Sequence, residues 1–73
     1  MQYGRVIIKL DNLIKQSGLS KNKVMQKAEM QMTQLNNYCN NKVVLVDLNV
    51  IARLCTVLNC KIEDILEFLP YEK

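Results

Sequence analysis

The chain of 73 residues has no histidine, no tryptophan, one proline and only two glycines. Each shortage excludes something. Without histidine, the side chain most often used for acid–base catalysis is missing. Gly4 and Gly18 stand too far apart to form a glycine-rich phosphate loop, and no nucleophile motif is present. Glu63, Asp64 and Glu67 are the one acidic cluster, and a helix position explains them, so no enzyme is expected. Three cysteines, Cys39, Cys55 and Cys60, make an odd number, do not pair at finger spacing and have no histidine to complete a zinc set; no metal or cofactor is expected. No apolar run approaches the roughly 20 residues that span a bilayer, and MQYGRVIIKL carries no apolar core of a secretion signal. The expected setting is therefore a reducing cytoplasm, away from membranes, with the thiols as small core hydrophobes.

Apolar residues make up 49% of the chain, which suits one compact domain over 1–73, with a short arm at 1–8 and a tail at 70–73. A core this small encloses a substrate cavity poorly and presents a flat or convex surface easily, so no small-molecule ligand is expected. Charge is unevenly placed. The net charge of +3 is concentrated between Lys21 and Lys42, where four lysines face one glutamate; from Val43 onward three basic residues meet five acidic ones. A positive middle suits a polyanionic partner, and a plain solvated lysine face is the alternative. Within that middle lies KAEMQMTQLNNY, Lys27 to Tyr38, rich in neutral amides and nearly free of charge. Lysine and glutamate would serve solubility better; amides serve the reading of another molecule's donors and acceptors.

Apolar spacings of three and four predict five short helices, an all-α fold. The first covers Lys9 to Gln16, with Leu10, Leu13 and Ile14 inward and Gly18 as its stop. Upstream, the β-branched run Arg5-Val-Ile-Ile reads as an extended arm or a small strand packed on the end of the chain. Ser20 caps a second helix, about Lys21 to Ala28, with Leu19 as a staple and Val24 and Ala28 inward. Met30 is tucked under the turn that follows. The third helix runs from Gln31 or Met32 to Cys39 and buries Leu35, Tyr38 and Cys39. Asn40 or Asn41 supplies the left-handed stop. Val43 to Val46 reads as a brief strand or a loop packed on the core. Asp47 caps a fourth helix, Leu48 to Leu58, with Val50 or Ile51, Leu54, Cys55 and Leu58 inward. A fifth helix, about Ile62 to Phe68, carries Ile62, Ile65, Leu66 and Phe68 or Leu69 on its apolar side, and Pro70 closes the helical part.

Two stretches carry a resemblance. GLSKNKVMQKAEMQMTQLNNY resembles, without a gap, the helix-turn-helix run of the lambda-repressor-like, Cro/XRE-type family, and LNVIARLCTVLNCKIEDILEFLP resembles its C-terminal tail. The likeness spans about Leu10 to Pro70. Three positions depart from the family pattern: Glu29 stands where the turn usually has glycine, Gln31 where the third helix usually opens with Ser or Thr, and Lys21 where helix two usually has Gln.

The resemblance implies a sequence-specific regulator of transcription bound to double-stranded DNA, probing the major groove with helix 3 and acting as a repressor. It implies base contacts from Gln31, Met32, Thr33, Gln34, Asn36 and Asn37. The chemistry agrees, because amides meet adenine N6 and N7 bidentately, and Thr and Met meet the thymine methyl. Lys21, Asn22 and Lys23 before helix 3, and Asn40, Asn41 and Lys42 after it, are the expected phosphate contacts. Lys9, Lys15 and Arg53 read as ordinary surface residues, and Tyr38 as core rather than a stacking platform. Phe68, Leu69 and Tyr71 are the candidate homodimer interface, with Pro70 and the runs Val6–Ile8 or Val43–Val46 beside them; the alternative is that they close the core. The rival function is a protein-interaction module, antitoxin-like or docking, with Met25, Met30 and Met32 as an adaptable surface.

Overall fold

The computed structural model describes residues 2–72. Among them, five helices lie between two short strands: β1 (Arg5–Ile8), α1 (Leu10–Ser17), α2 (Lys21–Lys27), α3 (Met32–Cys39), α4 (Leu48–Leu58), α5 (Ile62–Ile65) and β2 (Leu66–Leu69). The core is apolar and continuous. Leu10, Leu35, Leu54 and Ile65 are each fully buried, one apiece from α1, α3, α4 and α5, and Val24 joins them from α2. That places the predicted inward stripes of the first four helices where their spacing put them. Val50 and Ile51 are both buried, while Cys55 and Leu58 are half-buried at the edge. No helix among the described residues is long and apolar enough to cross a membrane.

Two expectations are corrected. The fold is helical but not all-α, because β1 and β2 form an antiparallel sheet pairing Val6 with Phe68 and Ile8 with Leu66. The run Arg5-Val-Ile-Ile is thus the small strand of the two readings offered. The predicted fifth helix accordingly stops at Ile65, and Leu66 to Leu69 continue as strand. The physical reason is tertiary. β1 offers a row of backbone donors and acceptors, and the chain after Ile65 satisfies them better as a strand than a four-residue helix would by growing. Ile62, expected inward, is half exposed. Val43 to Val46 is a loop, with Val43 and Val46 against the core and Val44 and Leu45 outside it.

The helix ends share one device. Glu29, Asn41 and Asn59 have left-handed φ of 55°, 58° and 51°. Each is followed by a residue whose amide reaches back to a carbonyl five positions earlier: Met30 to Met25, Lys42 to Asn37, and Cys60 to Cys55. This is the Schellman stop, which satisfies the last carbonyls of a helix. Gly18, φ 79°, ends α1. At the helix starts, Ser20 Oγ accepts from the Lys23 amide and Asp47 Oδ1 from the Asn49 amide, the caps predicted. Gln31 begins α3 with no side-chain cap bond.

Candidate nucleic-acid interface

α3 is held from beneath by three residues. Leu35 is fully buried, and Tyr38 and Cys39 are nearly so. The Tyr38 hydroxyl accepts from the Asp47 amide at 3.3 Å, tying α3 to the start of α4. This is a core tyrosine and not a stacking platform. Burial pushes the Cys39 thiol above its ordinary 9.0, opposed by the Lys21 ammonium nearby and reinforced by Asp11. The thiol is therefore neutral packing and not a reactive group.

With about 100° between successive helical residues, Thr33, Asn37 and Asn40 fall on the side opposite that anchor. All three are exposed. Gln34 lies on the flank beside Tyr38, and Met32 and Asn36 on the flank beside Cys39; all three are half-buried. Gln31, the residue before the helix, is exposed. The six expected base contacts are thus one outward line, Thr33 and Asn37, with Gln31 at its head and Met32, Gln34 and Asn36 as shoulders.

The shoulder at Asn36 is oriented. Lys21 Nζ donates to Asn36 Oδ1 at 3.3 Å and stands 3.9 Å from Asp11 Oδ1. An ammonium only donates, so the amide oxygen must face Lys21 and the amide NH2 faces away. Lys21 is consequently shared between α1 and α3. Asn22 and Lys23 on the first turn of α2 are exposed, as are Asn40 and Lys42. Lys23, Lys27 and Lys42 form no ion pair among the described residues. Asn41 differs from its neighbours: its Oδ1 accepts from the Ile8 amide at 2.6 Å and its Nδ2 donates to the Ile8 carbonyl at 2.8 Å.

Three basic residues read as ordinary surface turn out to be tied. Lys9 pairs with Glu67 at 3.7 Å across the sheet, and Lys15 with Asp11 at 3.0 Å. Arg53 Nε donates to the Ala28 carbonyl at 2.7 Å, closing the end of α2 from α4. Nothing in the spacing around Arg53 signals this role, because Ala28 lies 25 residues away. The methionines do not form one outer surface: Met30 is buried and Met25 and Met32 are half-buried. Phe68 and Tyr71 are exposed and Leu69 half-buried, with Val6 opposite Phe68 also exposed.

Two helices joined by the tight turn at Glu29–Met30, the second presenting a neutral amide face, define a helix-turn-helix domain. The chain belongs to the Cro/C1-type HTH DNA-binding domain family, whose pattern matches residues 9–70. Among solved structures it is similar to the transcriptional regulator VanUg, at 28% identity over 97% of this chain and 93% of that one, with a TM-score of 0.73. It shares its fold with a Bacteroides fragilis protein solved as a candidate DNA-binding protein, at 10% identity over 86% of this chain and all of the other, TM-score 0.76. No curated protein matches the chain.

Proposed function

We propose that this DNA-binding regulator is a sequence-specific repressor of transcription, which lays α3 in the major groove and excludes other proteins from the site it covers. The observation that carries the reading is the outward line of α3. Thr33 and Asn37 are uncharged, exposed and set on a helix whose opposite side is locked into the core. Neutral amides discriminate bases, whereas lysines hold phosphate. The lysines stand at the margins, Lys23 on the first turn of α2 and Lys42 just past α3. In the stop of α3 the Lys42 amide donates to the Asn37 carbonyl, which supports a reading in which Asn37 meets a base edge and Lys42 the backbone. A homodimer on two half-sites about 34 Å apart fits such a small reader, and the exposed Val6, Phe68 and Tyr71 support the sheet as its interface. The docking-module reading loses its main support with the burial of Met30.

Selection of binding sites from random duplexes tests the proposal. A defined motif is expected, with affinity falling steeply between about 50 and 200 mM salt. Asn37→Ala should lower the preference for that motif about tenfold, and Lys42→Ala should weaken all duplexes alike and reduce the salt slope by about one. Lys42 serves better here than Lys21, whose contacts with Asp11 and Asn36 mix two effects. No enriched motif, or identical behaviour of the two variants, would overturn the reading.

A further inference from the structure

We propose that Asn41 is a positioning residue for DNA reading: its carboxamide bolts the end of α3 to the terminal sheet and so sets the angle at which α3 is presented. This rests on the DNA reading above, and it departs from the phosphate contact that the family likeness implies for this position.

The bolt has two bonds. Ile8 N–H donates to Asn41 Oδ1 at 2.6 Å, and Asn41 Nδ2 donates to the Ile8 carbonyl at 2.8 Å. A carboxamide that donates and accepts on one residue's backbone imitates a neighbouring strand. The geometry of the sheet explains why Ile8 is available. In an antiparallel pair, both backbone groups of a residue point to the same side. Those of Ile8 point at Asn41, so they face away from β2, and without Asn41 they would be open edge. The Ile8 side chain is itself buried in the core, which fixes β1 at that point.

Residue identity at position 41 meets two demands together. The backbone is left-handed, φ 58°, which favours Gly, Asn or Asp. The clamp needs an acceptor and a donor. Glycine meets the first demand and has no side chain for the second. Aspartate meets the first, accepts from the Ile8 amide, and sets a carboxylate against the Ile8 carbonyl with no donor between them. Asparagine alone of the three meets both. Asn41 stands two residues past the end of α3, in the same stop in which the Lys42 amide donates to the Asn37 carbonyl, so the clamp acts between the proposed base and phosphate contacts. A displacement of about 1 Å there takes an amide out of hydrogen-bonding range of a base edge.

The test uses the whole chain with Asn41→Gly and Asn41→Asp. Amide exchange at Ile8 and residual dipolar couplings of α3 against the sheet are measured without DNA; the ratio of specific to non-specific affinity is measured with it. Expected is faster exchange at Ile8 in Asn41→Gly but not in Asn41→Asp, which keeps the acceptor; a spread in the angle between α3 and the sheet in both; and a fall of about tenfold in the ratio, with non-specific affinity unchanged in Asn41→Gly and lowered in Asn41→Asp by its added negative charge. An unchanged angle, or an unchanged ratio once the angle is loosened, overturns the proposal. Loss of the fold in both variants also overturns it, since Asn41 would then serve stability and not aim. Failure of the DNA reading itself shows separately, as a wild-type chain with no sequence preference.

Discussion

At the scale of single residues, the stops of α2, α3 and α4 explain more than their small size suggests. Asn41 and Asn59 are tolerable in the left-handed region because a short amide can settle there. Glu29 has no such excuse, and its φ of 55° is a standing cost. Glu29→Gly should therefore raise stability by about 0.5–1 kcal/mol, read as a higher urea midpoint with unchanged slope. The departure at this position was legible in the sequence, because the family pattern puts glycine there. Cys39 makes a second prediction. Burial raises its pKa in the fold above 9.0, so the folded state favours the neutral thiol. Its contribution is complete below that value and is lost as pH rises past it, when the unfolded chain sheds the proton first. The urea midpoint should fall as pH rises through 9.0 and beyond, and Cys39→Ala should flatten part of that fall. Burial of Cys60 pushes its thiol in the same direction and supplies a further part.

Among the elements, α3 and the sheet obey different logic. α3 was readable because its anchor repeats at three and four, and a period of that kind needs only local chain to express itself. The end of α5 was not. Leu-Glu-Phe-Leu continues the apolar spacing of a helix as well as it starts a strand, and the choice falls to β1, some 60 residues away. Gly4 shows how tightly the sheet is closed. A Cβ there would overlap the Leu69 carbonyl and stand 2.7 Å from Phe68 Cζ and 2.8 Å from Pro70 Cα. Gly4→Ala should open that end of the sheet at a cost of about 1–3 kcal/mol, seen as lost exchange protection at Arg5 and Ile7 while the helices keep theirs. Equal protection in both proteins would show that the sheet can shift to admit a methyl.

For the molecule as a whole, the sheet carries more apolar surface than its own core uses. Val6 and Phe68 share a face with Ile8 and Leu66 by register. Yet Ile8 is 7% exposed, and Val6 and Phe68 are 62% and 61% exposed. The sheet therefore runs out past the helices, and its far half is uncovered in a single chain. If a second copy covers it, Phe68→Ser should raise the dimer dissociation constant at least about tenfold in sedimentation experiments, since a buried aromatic anchor dominates an interface of this size. The same variant should then bind single half-sites nearly as well as wild type and paired half-sites far worse. A wild-type chain that sediments as a monomer at tens of micromolar, on the order expected for so small a contact, would remove the dimer and leave the reading of one half-site intact.

What the sequence determined by itself was the local part: four helices, three of their stops, two caps, and a third helix with one apolar side and one amide side. These follow from periods and propensities that act within a few residues. Tertiary structure decided the rest. It drew β2 out of the fifth helix, turned Arg53 onto the end of α2, shared Lys21 between Asp11 and Asn36, and tied the Asn41 carboxamide to the backbone of Ile8. Each of these joins residues 10 or more positions apart, the sheet through a row of backbone groups and the others through one polar side chain, and no repeat in the chain announces a bond that depends on how two distant segments happen to meet.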